Sequence, residues 1–225
     1  MRLAVACLLL PALLVSRQGW SFEGPFGSFD LASAQRGYAV YAQVCAACHS
    51  MRALRFADLA GLGLDTHDIH AIAASHGLQA GDHFPSPYAN DVAARAANHG
   101  AVPPDQSRLA ITLPGGARFI AAFLDGFLDT PRNVALAPRM HYNLAVAGNA
   151  TAMPPPLHQG QVDYADGTKA TVPHMAHDVA TFLAWAAQPH LQARHRLGVQ
   201  VIAYLTLLLG LVVIVKRRVW ANVRT

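Results

Sequence analysis

The chain has 225 residues, room for one folded domain with some chain to spare, and a formal charge of +4 from 17 Lys and Arg against 13 Asp and Glu. That charge is unevenly placed: all thirteen acidic residues lie between Trp20 and Leu191, where only nine basic ones stand, so this stretch is net −4. The split argues against a nucleic-acid partner and for a basic protein partner, and with only Cys45 and Cys48 in the stretch a disulfide scaffold is not supported either.

In chain order, residues 1–19 read as a secretory signal, with Arg2, an apolar run from Leu3 to Val15 and then the polar Ser16 to Gly19. Thirteen apolar residues are short for a bilayer span, although no clean small-x-small cleavage site precedes Trp20. Trp20 to Asp30 (WSFEGPFGSFD) is an extended or looping arm with hydrophobic teeth. Leu31 to Val44 has helical periodicity, with Ser33 as candidate N-cap, and places Tyr38, Tyr41, Cys45 and Cys48 on one face. Short helices are expected over Asp65–Ser75 and Asp91–Asn98, and Pro85, Pro87, Pro103 and Pro104 punctuate the loops around them.

A further helix is expected over Ala117–Leu128, apolar at Phe119, Ile120, Phe123 and Phe127. Arg132 to Lys169 lacks periodicity, holds Pro154, Pro155 and Pro156, and reads as ordered loop. Val172 to Gln188 reads as an amphipathic helix with Met175, Val179, Phe182 and Leu183 on its apolar side. Pro189 interrupts it, and a linker from His190 leads to Leu197–Val215, nineteen residues without a charge. That length crosses a hydrocarbon core as a helix, so the lipid bilayer is an expected partner. Arg194 and Arg196 bracket one end and Lys216, Arg217 and Arg218 the other; with an export signal ahead of it, the tail would stay cytoplasmic. The expected organisation is a signal at 1–19, an exported domain at 20–193, the transmembrane helix with its flanks at 194–218 and a tail at 219–225.

The chemistry concentrates in Cys45-Ala46-Ala47-Cys48-His49. Two thiols at this spacing can add across the two vinyl groups of one haem, and the next residue offers an imidazole to the iron. A zinc ribbon would need a second ligand pair, and a thioredoxin-like pair would leave His49 unexplained. One covalently attached haem c is therefore the expected cofactor, with His49 as one axial ligand and electron transfer as the expected task. For the opposite axial position the residues leave a choice. Met51 is close to His49 in the chain, Met175 sits on an apolar helix face, Met140 lies between Arg139 and His141, and Met153 precedes three prolines that would stiffen its approach. Chemistry favours Met153 as the second metal ligand. A cluster of histidines at 67, 70, 76 and 83 reads as scattered surface residues in preference to a metal site.

Six segments in order make the chain resemble the cytochrome c1 family: WSFEGPFGSFD at 20–30, RGYAVYAQVCAACHSM at 36–51, NDVAARAANHGAVPPDQS at 90–107, TAMPPPL at 151–157, MAHDVATFLAWAAQP at 175–189, and KRRVWANV at 216–223 after the anchor. The resemblance implies a mostly α fold, a c-type cytochrome domain with long ordered loops plus one C-terminal transmembrane helix, with the haem domain in the periplasm of a bacterial inner membrane. It implies that Met153 is the family's methionine ligand and that Pro103 and Pro104 stand beside the haem edge. It also implies the partners: cytochrome b, the Rieske iron–sulfur protein and a soluble or tethered cytochrome c, in a complex that is dimeric. The chain would then be a non-catalytic redox subunit of a quinol–cytochrome c oxidoreductase. The family commonly places closely spaced arginines after its PPD-x-S element, one of them on a haem propionate. Here Leu109 to Leu113 are free of arginine, so either Arg108 or Arg118 substitutes or the propionate is handled differently. The competing readings are an anchored c-type carrier of another respiratory chain, which would lack the flanking segments, and a haem peroxidase, which would need an open sixth position and a distal acid–base pair.

Overall fold

A computed structural model describes residues 19–221. The expected signal at 1–19 lies outside the described residues except for its last position, and the tail lies outside them from residue 222. The described chain is mostly helical: α1 Leu31–Gln43, α2 Thr66–Ser75, α3 Asp91–Ala97, α4 Leu109–Thr112, α5 Gly116–Asp125, α6 Val172–Ala187 and α7 Leu191–Trp220. Short 3-10 turns occupy Cys45–Ala47, Phe56–Leu62 and Ala147–Asn149. The 132–169 stretch is loop, as expected, with one small antiparallel pair, β1 His141–Tyr142 and β2 Ala150–Thr151, in the register His141 to Thr151.

The core forms around α6, which packs against α1 on one side and α4 and α5 on another. The sequence predicts a one-sided apolar helix there, but Asp178 to Trp185 are buried without interruption, because neighbours cover the helix all round. Its N-cap is Thr171, whose hydroxyl accepts from the His174 N–H at 3.3 Å, with Pro173 in the first turn where no donor is missed. The crossing with α1 is close enough to require a glycine: a Cβ on Gly37 would stand 2.0 Å from the Asp178 carbonyl oxygen.

Ser33 is not the N-cap of α1. Asp30 holds that place, accepting from the Ser33 N–H at 3.2 Å, and the buried Ser33 hydroxyl instead donates to Asp178 Oδ1 at 2.7 Å. Arg36 completes the clamp with two bonds to Asp178, of 2.8 and 3.1 Å, and a third to Asp166 at 3.0 Å. A buried carboxylate is tolerated here because a guanidinium fork and a hydroxyl satisfy it.

The tyrosines of α1 enter an aromatic cluster. Tyr38 and Tyr41 meet Phe84 edge-on at 6.3 and 6.1 Å and pack on Phe182 at 5.6 and 5.7 Å, while Phe84 stacks on Phe56 at 4.4 Å. α5 stops at Asp125, three residues before the expected Leu128, because Gly126 and Phe127 turn to pair with the β1 region. α7 starts directly after the Pro189 turn, so no linker separates it from α6. Its thirty residues reach about 45 Å at 1.5 Å each, and the run from Leu197 onward shows its side chains to the surroundings. Among the described residues it is the one helix long and apolar enough to anchor the chain in a membrane.

Candidate haem site

The attachment motif follows the end of α1, where the chain tightens into a 3-10 turn. Cys48 and His49 both donate their backbone N–H to the Cys45 carbonyl, at 3.0 and 2.8 Å, so the three reactive residues are wound around one oxygen. The expected continuous helical face therefore ends before the motif: Cys45 turns into the core, whereas Cys48 is exposed. Both thiols are free. Burial pushes the Cys45 thiol up to about 12, with the neighbouring Cys48 adding to the shift, so it stays a neutral thiol until it is alkylated.

His49 is buried, and its Nδ1 lies 2.8 Å from the Pro104 carbonyl oxygen. A carbonyl only accepts, so this geometry puts the proton on Nδ1 and leaves the Nε2 lone pair to coordinate a metal. Burial lowers the imidazole's pKa, opposed by the Pro104 hydrogen bond and the charge of Asp105, which favours the neutral ring that ligation requires. Two free thiols at this spacing beside an oriented neutral imidazole are the donor set of one covalently bound haem c.

The Pro103-Pro104 loop is fastened to the motif by Asp105, a residue that the sequence reading passed over. Asp105 Oδ2 accepts from the Ser50 hydroxyl at 2.8 Å and from the Arg52 N–H at 2.9 Å, and Oδ1 accepts from the Ser107 N–H at 2.9 Å. Two further bonds close the clasp, Gln106 N–H to the Ser50 carbonyl at 2.8 Å and Ala53 N–H to the Ser107 hydroxyl at 2.9 Å. Burial works to raise the Asp105 pKa, but the donors from Ser107, Arg52 and Ser50 outweigh it and hold the carboxyl below its ordinary value. The local sign of this role was present in the sequence: Asp-x-Ser after a proline pair is the pattern of an Asx turn.

The structure thus brings Cys45, Cys48, His49, Pro103 and Pro104 together, and Cys48, Pro103 and Pro104 share a cleft of about 110 Å³ with Tyr88 and Asp105. Met153 is half-buried against the core that also holds Cys45, in the loop after β2, its N–H donating to the Thr151 hydroxyl at 3.3 Å. Among its rivals, Met51 and Met175 are completely buried and Met140 is half-buried. Of the two arginines offered for a propionate, Arg118 is taken by Glu23 through both its Nε and a terminal nitrogen. Arg108 is exposed beside α4. The four histidines at 67, 70, 76 and 83 are all exposed, and among the described residues only His67 joins an acidic cluster, with Asp65 and Asp68 at the start of α2.

Comparison with known proteins gives one consistent result. The profile of the Cytochrome C1 family matches residues 20–223. Cytochrome c1 of Rhodospirillum rubrum is 37% identical over 239 residues, covering 92% of this chain and 88% of that protein. The mitochondrial cytochrome c1 heme protein of Saccharomyces cerevisiae is 39% identical over 222 residues, covering 92% of this chain and 72% of its own length. A protein of Bradyrhizobium diazoefficiens named cytochrome b/c1 is 38% identical over 240 residues, and this chain spans only 35% of its length.

Proposed function

This chain belongs to the cytochrome c1 family, and from that premise we propose that it is the haem-bearing electron-transfer subunit of a quinol-oxidising bc1 complex, taking an electron from a Rieske iron–sulfur protein and passing it to a soluble or membrane-tethered cytochrome c. The observation that carries the reading is the His49 Nδ1 to Pro104 carbonyl bond beside the paired thiols of Cys45 and Cys48. Haem c, when bound, supplies a one-electron ferric–ferrous couple.

The chain's own residues do the rest. Cys45 and Cys48 would hold the group covalently, one from a buried and the other from an exposed position. Pro104 orients His49, and Asp105 holds Pro104. Met153, its following backbone stiffened by Pro154, Pro155 and Pro156, is the proposed second iron ligand beside His49; a thioether there would raise the potential relative to a second imidazole. Pro103 and Pro104 are proposed to flank the haem edge. Nothing in this role requires a general acid or base, so the chain is a redox component of an enzyme rather than an enzyme by itself.

The name of the Bradyrhizobium relative, cytochrome b/c1, supports cytochrome b as a partner. The basic cluster Lys216, Arg217 and Arg218 supports an orientation with the haem domain on the periplasmic side of a bacterial inner membrane. The test is purification of the intact membrane complex through a tag on this chain, followed by rapid mixing with a quinol and then with cytochrome c. Reduction of this chain's haem by quinol and its reoxidation by cytochrome c are expected. A complex without cytochrome b, or a haem that quinol leaves oxidised, would return the chain to the class of carriers from another respiratory chain.

A further inference from the structure

The arm before α1, residues 20–30, is held firmly. Glu23 N–H donates to the Trp20 carbonyl at 3.0 Å, Ser28 N–H to Ser21 at 2.9 Å and Gly27 N–H to Gly24 at 3.2 Å, which folds the arm into a tight turn with Pro25 and Phe26 at its tip. Gly24 has a φ of +83°, and a Cβ on Gly27 would stand 2.4 Å from the Phe22 carbonyl, so both glycines are required by the turn. The base is fastened by Trp20 stacked on His177 at 4.4 Å, by Phe22 packed on Phe29 at 4.9 Å and by the pairing of Glu23 with Arg118.

A turn built this rigidly presents Phe26 with 82% of its surface exposed, the most exposed large apolar side chain among the described residues. Its location accounts for it. The Gly27 carbonyl accepts from His195 Nδ1 at 3.0 Å, and His195 lies two residues before Leu197, where the uncharged run of α7 begins. Two residues of helix rise only about 3 Å, so the tip is held close to the level at which α7 enters hydrocarbon. Residues 24–28 carry no charge, while the exposed Arg194 and Arg196 at the same level suit anionic headgroups.

We propose that Pro25 and Phe26 dip into the lipid interface of the leaflet that α7 enters, with Arg194 and Arg196 on lipid phosphates. The tip then forms a second membrane contact that fixes the height and tilt of the haem domain. This rests on α7 being the membrane span. A nitroxide label at Phe26→Cys in the intact complex reconstituted in vesicles with anionic phospholipid tests it, the signal of the unsubstituted complex being subtracted. Relaxation by oxygen, which partitions into lipid, is compared with relaxation by a water-soluble nickel chelate. The oxygen-to-nickel ratio at position 26 should be several-fold above that at the exposed control Val92→Cys on α3 and approach that at Leu205→Cys in α7. A ratio equal to the Val92→Cys control places the tip in water and overturns the proposal. Shielding from both reagents identifies a protein neighbour and overturns it too. A low ratio at Leu205→Cys would sink the membrane reading of α7 itself, and the proposal with it.

Discussion

Asp105→Ala removes the acceptor for three hydrogen bonds at once, from the Ser50 hydroxyl and the Arg52 and Ser107 amides, all at 2.8–2.9 Å. A hydrogen bond to a charged group is worth about 1.5–3 kcal/mol when buried, and each bond is discounted to about 1 kcal/mol here because Asp105 is only half-buried and water can replace part of what is lost. The expected loss is therefore about 3 kcal/mol, which in a domain of this size lowers the melting temperature by roughly 6–12 °C. Asp105→Asn keeps one acceptor oxygen and should fall between. The assay is thermal melting of the haem-loaded full chain in detergent, followed at the Soret band. It also has a pH signature. The folded carboxyl sits below its ordinary value, so its contribution is fully present above the unfolded pKa of about 3.9 and is lost as pH falls through the folded value. The gap between parent and Asp105→Ala should be constant near neutrality and close in acid. A gap under about 1 °C at neutral pH, where roughly 6 °C or more is expected, would refute the reasoning, as would one that is undiminished at about pH 2.

Met153→Leu should keep the covalent haem but give a high-spin or misligated spectrum with a lowered potential, whereas Met175→Leu should cost only packing; a low-spin spectrum and parental potential in Met153→Leu would move the ligand to Met140 or a histidine. Gly37→Ala must push α1 off the Asp178 carbonyl, and overpacking at about 1–3 kcal/mol should exceed the helix-propensity gain of at most about 1 kcal/mol. In the same melting assay, Gly81→Ala, whose Cβ meets open space, should be nearly neutral. The net −4 balance between Trp20 and Leu191 should make the second-order rate with a basic acceptor fall as salt rises, because exposed charges act mainly on encounter; stopped-flow oxidation across ionic strength reads this, and a flat profile would indicate a neutral or tethered acceptor.

What could be read in advance follows the range of the interactions. The spacing of Cys45, Cys48 and His49 is a local pattern, and so are the apolar periods of α1 and α5 and the uncharged length of α7; each appears close to its expected place. Element ends moved where partners distant in sequence decide them. Ser33 reads locally as a cap, but its hydroxyl serves Asp178, 145 residues away, and the cap passes to Asp30. α6 reads as one-sided because its sequence does not say that α1, α4 and α5 will surround it. Asp105 was legible only in part for the same reason: its turn to Ser107 is local, but its partners Ser50 and Arg52 lie more than fifty residues upstream. Arg118 likewise pairs with Glu23, a contact spanning 95 positions that no local pattern announces.

Everything proposed for this chain depends on one haem c held covalently through Cys45 and Cys48. Denaturing gel electrophoresis with haem staining tests it most directly, on the parent, on Cys45→Ser and on the Cys45→Ser, Cys48→Ser double variant. The parent band should stain, the single variant should retain at most a singly linked haem, and the double variant should lose the stain entirely. Undiminished staining of the double variant would contradict the account.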